Sequence, residues 1–132
     1  MSPPTVLVVD DDENIRELTQ LALETVSGWH IVTADGGFAA IEMCRTHHPD
    51  AVLLDLMMPD MDGLTTFEHL QADETTCDIP VILFTAKGRV GERQPWDGYA
   101  ISGMIAKPYN PMTLGDQVTE ILHWNDRFSE AG

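Results

Sequence analysis

Four short apolar runs each lead into residues that can do chemistry. Val6-Leu7-Val8-Val9 runs into Asp10 and Asp11, Ala51-Val52-Leu53-Leu54 into Asp55, Val81-Ile82-Leu83-Phe84 into Thr85, and the weaker Met104-Ile105-Ala106 into Lys107. Three carboxylates gathered within a few ångströms repel one another, so they would either take up protons or bind a cation. A hard divalent ion suits an all-oxygen donor set, and magnesium commonly takes one or two carboxylates while keeping waters for a phosphorylated partner. Such an ion lowers the repulsion between a carboxylate nucleophile and an incoming phosphoryl group. Lys107 supplies a second positive charge, and the Thr85 hydroxyl can donate to a phosphoryl oxygen. Carboxylates attack phosphorus to give an aspartyl-phosphate. Asp55 is the candidate nucleophile, because it stands alone at its run's end between the acid pair and the Thr/Lys pair; Asp10, Asp11 and Asp55 are the candidate metal ligands.

These residues meet only if the runs are neighbouring strands. The four runs and Ile31-Val32 read as short strands buried on both faces. Between them apolar residues recur at helical spacing: Ile15, Leu18, Ala22 and Val26; then Ala40, Ile41 and Cys44; then Leu64, Phe67 and Leu70. The last helix opens at Asn110 as N-cap with Pro111 at its first position, and Leu114, Val118, Ile121 and Leu122 face inward. Strand and helix alternate five times, which predicts a parallel sheet with helices on both faces and right-handed crossovers. The fold expected is a flavodoxin-like (βα)5, doubly wound, with five parallel strands in the order 2-1-3-4-5. In that order the first and third strands are neighbours, and ligands bind outside the carboxyl ends of the strands. Asp10, Asp11 and Asp55 would then share one site.

Composition sets the limits. A chain of 132 residues, 43% hydrophobic, is long enough for one core, and residues 1–132 are expected to form a single domain with its core over about 5–124. Twenty-two acids against seven bases give a formal charge of -15, which would repel nucleic acid or an anionic membrane. No direct nucleic-acid or membrane partner is expected. The opening MSPPTVLVVDD has no basic stretch and too short an apolar run for a signal peptide or span, which predicts a cytoplasmic protein. Cys44 and Cys77 lie far apart and are expected as reduced thiols filling core space. The five histidines show no metal-ligand spacing, and His47-His48 should sit on a solvated helix end. DMDG, residues 60–63, lacks the glycine and closing glutamate of a calcium loop at the required offsets, so Asp60 and Asp62 are expected to be solvated turn residues. Met57, Met58 and Met61 are expected to pack the loop. Asp10 and Asp11 could also serve as caps of the first helix.

Taken together and in order, VLVVDDDENIREL, DAVLLDLMMPDMDGL, VILFTA and MIAKPYN resemble the receiver domain of two-component response regulators, over about residues 5 to 124. The resemblance implies that Asp55 accepts a phosphoryl group from a sensor histidine kinase or a histidine phosphotransfer protein. It implies that Asp10, Asp11 and the backbone carbonyl of Met57 hold Mg2+ directly or through water, and that Thr85 and Lys107 contact the phosphoryl group. It also implies a cis Lys107-Pro108 peptide, and a loop after Asp55 in which Gly63 allows the turn into the third helix. A protein of this kind switches the binding of a downstream partner, and is no enzyme beyond catalysing its own aspartyl phosphorylation and dephosphorylation.

Departures from the family pattern bear on output. Met104 stands three residues before Lys107, where relatives often carry a ring that turns inward. The fourth helix should fall within KGRVGERQPWDGYAISG, whose glycines and Pro95 weaken helices, so residues 88–103 are expected to be the mobile, signal-carrying segment, with Trp96 and Tyr99 as apolar surface. Met57 and Lys87 stand where, by the resemblance, the family tunes the loss of phosphate, and an apolar side chain and a cation there imply a longer-lived phosphoryl state. Only HWNDRFSEAG follows the last helix, which suggests a stand-alone receiver or a piece of a larger regulator. Two other classes compete. A magnesium-dependent phosphohydrolase with an aspartyl nucleophile needs a second acid two residues on, where Met57 stands; a pseudo-receiver binding partners without phosphorylation would lack one of the five site residues, and all are present.

Overall fold

The computed structural model describes residues 3–86 and 96–124. Its five strands are β1 (Thr5–Val9), β2 (His30–Ala34), β3 (Ala51–Asp55), β4 (Val81–Ala86) and β5 (Gly103–Lys107). They form one parallel sheet in the order β2-β1-β3-β4-β5, the expected order. Among the described residues four α-helices flank it: α1 (Glu13–Ala22), α2 (Gly37–His47), α3 (Gly63–Ala72) and α4 (Pro111–Leu122). The helix expected between β4 and β5 falls largely on residues 87–95, outside the described residues, as does Lys87; residues 96–98 form a turn in which Trp96 O accepts from Tyr99 N at 3.1 Å.

The strands are apolar on both faces because each face has its own helical layer. Leu7, Val9, Val52, Leu54, Val81 and Leu83 pack with Ala40, Ile41 and Cys44 of α2 and Phe67 and Leu70 of α3. The alternate residues Val6, Val8, Leu53, Ile82 and Phe84 face the other way, onto Leu23, Leu114, Val118 and Trp124. Period-two alternation thus sends one strand into two cores. Trp96 and Tyr99 are half-buried against the first core, and the Tyr99 hydroxyl donates to Glu68 at 3.2 Å.

The first helix departs from its expected face. Ala22 is buried, but Leu18 and Val26 are exposed, and Thr19 and Leu23 are buried instead. After Ala22 the chain widens into a π-helical turn over Leu23–Ser27, which shifts the phase of the side chains and turns Val26 outward. Gly115 lets this turn come against α4, since a Cβ there would collide with Ser27 Oγ. In α4 the sequence expectation holds: the Asn110 side chain accepts from Met112 N at 2.9 Å, Pro111 opens the helix, Leu114 and Val118 are buried, and Ile121 and Leu122 are partly so. Cys44 fills core as expected, whereas Cys77 lies outside both cores; both are free thiols. His47 and His48 occupy the exposed end of α2. Among the described residues no helix is long and apolar enough to cross a membrane.

Candidate functional site

The carboxyl edge of the sheet collects the expected residues. β1 and β3 are adjacent, with Val9 paired to Leu54, so Asp10 and Asp55 leave neighbouring strands at the same level. Oxygens of Asp10, Asp11 and Asp55 lie within 4.8 Å of one another. Asp10 and Asp55 are buried and Asp11 is exposed. Lys107, from the far edge strand, extends its amine to Asp10 Oδ2 at 3.1 Å and Asp55 Oδ1 at 3.2 Å. Thr85 is buried one residue beyond Phe84, the register partner of Asp55. The peptide between Lys107 and Pro108 is cis.

Burial dominates the electrostatics. It pushes the Asp55 carboxyl above its ordinary range; Lys107 pulls it back and Asp10 pushes it further up. Burial also works against the Lys107 ammonium, but the bond it donates to Asp10 and the charges of both acids outweigh it and hold its pKa above the ordinary value. Among the described residues, three carboxyl groups face one ammonium at this half-buried edge, an excess of acid. Hard oxygen donors with that excess fit a divalent cation of the magnesium type, with Asp10, Asp11 and Asp55 as the side chains that would hold it. Met57 N approaches Asp55 Oδ1 at 3.4 Å, which sets the loop carrying the Met57 carbonyl beside the nucleophile candidate.

The cap of α1 falls to a residue other than the two considered for it. Asp12, not Asp10 or Asp11, is the N-cap of α1, accepting from Asn14 N at 2.9 Å and Ile15 N at 3.2 Å. Asp10 instead holds the cap in place by accepting from Asp12 N at 2.9 Å. Asp60 and Asp62 are exposed loop residues, as expected, but each also holds the start of a helix. Asp62 caps α3 through Thr65 N, and Asp60 reaches across to accept from Gly37 N and Phe38 N, both at 3.2 Å, at the start of α2. Burial would raise the Asp60 carboxyl, but those amides outweigh it and hold it below the ordinary range. Gly63 is needed for proximity, not for a special turn: a Cβ there would stand 2.6 Å from the Asp55 carbonyl oxygen. Of the three methionines, Met58 is buried and Met61 packs on the core, but Met57 is 74% exposed, so loop packing does not account for it.

Two features around the site had no role in the sequence reading. Arg16 Nη1 donates to the Asp10 carbonyl at 2.8 Å, binding the backbone that presents the acids. As the lone base of α1, just over a turn beyond the N-cap, it was the available signal. Tyr109 stacks on Phe84 at 4.6 Å, and its hydroxyl shares a 2.6 Å hydrogen bond with Thr19 of α1. No local pattern announces a contact across ninety residues. Met104, the departure noted above, is 43% exposed on the outer strand β5.

The family model for the response regulator receiver domain matches residues 6–119. Among curated proteins, the probable transcriptional regulatory protein TcrX of Mycobacterium tuberculosis is 44% identical over 120 residues, covering 91% of this chain and 47% of that protein. The DNA-binding dual master transcriptional regulator RpaA of Synechocystis sp. is 33% identical over 129 residues, covering 97% of this chain and 53% of its own. This chain therefore spans about half the length of the curated relatives it matches. Among solved structures, the N-terminal domain of a response regulator receiver protein from Methanoculleus marisnigri superposes with TM-score 0.73 at 37% identity, covering 92% of this chain and 98% of that one. The chemotaxis protein CheY4 of Vibrio cholerae shares the fold, with TM-score 0.81 at 24% identity over 91% of this chain and 99% of its own.

Proposed function

The chain belongs to the response regulator receiver domains, signalling modules of two-component systems, and from that premise we propose that Asp55 accepts a phosphoryl group from a phosphohistidine of a sensor kinase or phosphotransfer protein. The observation that carries this reading is the Lys107 amine held between Asp10 and Asp55 at 3.1 and 3.2 Å, with Asp11 beside them.

An oxygen of Asp55 attacks phosphorus, the P–N bond breaks, and its electron pair returns to the imidazole nitrogen. Lys107 favours the anionic form of Asp55 against the burial that favours its neutral form, and then meets the charge on the phosphoryl oxygens. The Thr85 hydroxyl, with its buried position at the next strand end, donates to another of those oxygens. Asp10, Asp11 and Asp55, with the Met57 carbonyl, would hold magnesium, which when bound would supply the remaining positive charge. Arg16 and Asp12 hold the acid-bearing backbone in register, and Gly63 lets α3 start directly against Asp55.

As a single cytoplasmic receiver unit with its core over about 5–124, the chain acts by changing which protein it binds, and its catalysis is confined to forming and losing its own aspartyl-phosphate. Its charge of -15 favours protein partners over direct contact with nucleic acid or membrane. Mass spectrometry after treatment with acetyl phosphate and magnesium tests the reading. One labile phosphate should appear on Asp55 and none on Asp55→Asn. Equal labelling of the variant would reject Asp55 as the acceptor.

A further inference from the structure

We propose that the wall beside Asp55 is a subsite for an apolar leaving group, so that among small phosphodonors the chain takes an aromatic acyl phosphate in preference to acetyl phosphate; this rests on the reading of Asp55 as phosphoacceptor. A cavity of about 460 Å³ opens directly against Asp55 and Lys107, a size suited to a small ligand. Its other walls include Ile15 and Leu18 of α1, Met57, Pro108 and Tyr109. The Thr19 hydroxyl on this wall is already bonded to Tyr109 at 2.6 Å, so polar recognition is concentrated at the Asp55–Lys107 end. A ligand matched to these walls has an anionic head for Lys107 and an apolar body. Leu18 and Met57 are 55% and 74% exposed, and both would lose water on covering such a body.

The chemistry places the body there. Asp55 attacks the phosphorus of the acyl phosphate, the bond from phosphorus to the carboxylate oxygen breaks, and the electron pair leaves with the carboxylate. No proton, oxidant or further reactant is required. In-line displacement puts the departing oxygen on the far side of phosphorus from Asp55, and the cavity that Asp55 lines is also lined by the exposed apolar side chains of Leu18 and Met57. Acetic and benzoic acids are of similar strength, so a difference between their phosphates reads the cavity rather than the leaving group.

The test compares benzoyl phosphate with acetyl phosphate on the full chain in magnesium, following the phosphate on Asp55 by mass spectrometry. The added apolar area of a phenyl ring over a methyl should lower the half-saturating concentration about tenfold. Leu18→Glu, an exposed position, should reduce that preference to near parity. In a second readout that transfers nothing, phenylphosphonate should perturb the Tyr109 ring signals in an NMR titration at concentrations where methylphosphonate does not. Equal concentration dependence for the two acyl phosphates would overturn the subsite and leave Asp55 as acceptor intact, and a preference that survives Leu18→Glu would also overturn it. Labelling by neither donor would remove the phosphoacceptor reading and the subsite with it.

Discussion

The two helical layers of this sheet are built differently. The α2/α3 layer leaves Phe38 exposed but is tied down by its own side chains: Asp62 caps α3, Asp60 ties the loop after β3 to the start of α2, and Phe67, Leu70 and Cys44 are buried beneath. The α1/α4 layer leaves Leu18, Leu21 and Val26 exposed and admits a π-helical turn against Gly115. It also runs into the site, through Phe84, Tyr109 and Thr19 to the strand end that carries Lys107. The α2/α3 layer is mainly scaffold, meeting the site through the backbone at Gly63, whereas the α1/α4 layer is coupled to Lys107 through side chains. A packing defect should therefore have different consequences on the two faces, even at equal cost in stability.

The largest expected effect compares two buried rings. Phe84→Ala and Phe67→Ala should each destabilise by about 3–5 kcal/mol in urea unfolding, from lost burial and the cavity left behind. Among molecules still folded, Phe84→Ala should slow Asp55 labelling by acetyl phosphate, because Tyr109 loses the ring that positions it beside Lys107. Phe67→Ala should leave labelling near the parent rate. Equal slowing by both would erase the distinction between the layers.

Next in size, Gly115→Ala should cost about 1–3 kcal/mol by overpacking α4 on the π-helical turn. Adding Ser27→Gly should recover much of it, since Ser27 Oγ is the atom in the way. No recovery in the double variant would mean that the contact with Leu23 is the stronger constraint.

On the scaffold face, Asp60→Ala should cost about 1 kcal/mol at neutral pH, the usual scale for removing a helix cap. Because the folded state holds this carboxyl below its ordinary pKa, the stabilisation is present above the unfolded value and lost as pH falls through the folded one. The gap between parent and variant should therefore close in acid, and a gap independent of pH would assign the loss to packing.

The smallest effect concerns the site charges. Asp55 has its pKa raised by burial, so the folded state takes up its proton more readily than the unfolded chain, and its contribution turns unfavourable as pH rises through the carboxylate range. In metal-free buffer Asp55→Asn should melt slightly above the parent at neutral pH, and the difference should shrink on acidification. Asp11→Ala should also raise the metal-free melting temperature, because Asp11 is an exposed member of the acid cluster and the cap of α1 is Asp12. Added magnesium should stabilise the parent more than either variant. A parent midpoint unmoved by millimolar magnesium would argue against the cation site.

Much of this architecture is a property of short stretches of chain. Apolar runs of two to four residues separated by helical spacing point to a parallel sheet covered on both sides, and that topology carries the strand-end residues to one edge. Asp10, Asp11, Asp55, Thr85 and Lys107 were legible for this reason, as was the Asn110-Pro111 start of the last helix. Tertiary structure decided what depends on phase and long range. The face of α1 changes because a π-helical turn adds a residue to the repeat and because Thr19 finds a hydroxyl partner ninety residues away, which permits a polar side chain where Leu18 was expected. Asp60 becomes a cap only because the loop after β3 meets the start of a helix 22 residues earlier in the chain, and Gly63 is constrained by the Asp55 backbone rather than by its own torsions. Local patterning records how each segment buries its apolar residues; hydrogen-bond partners supplied by another segment exist only once the layers have packed.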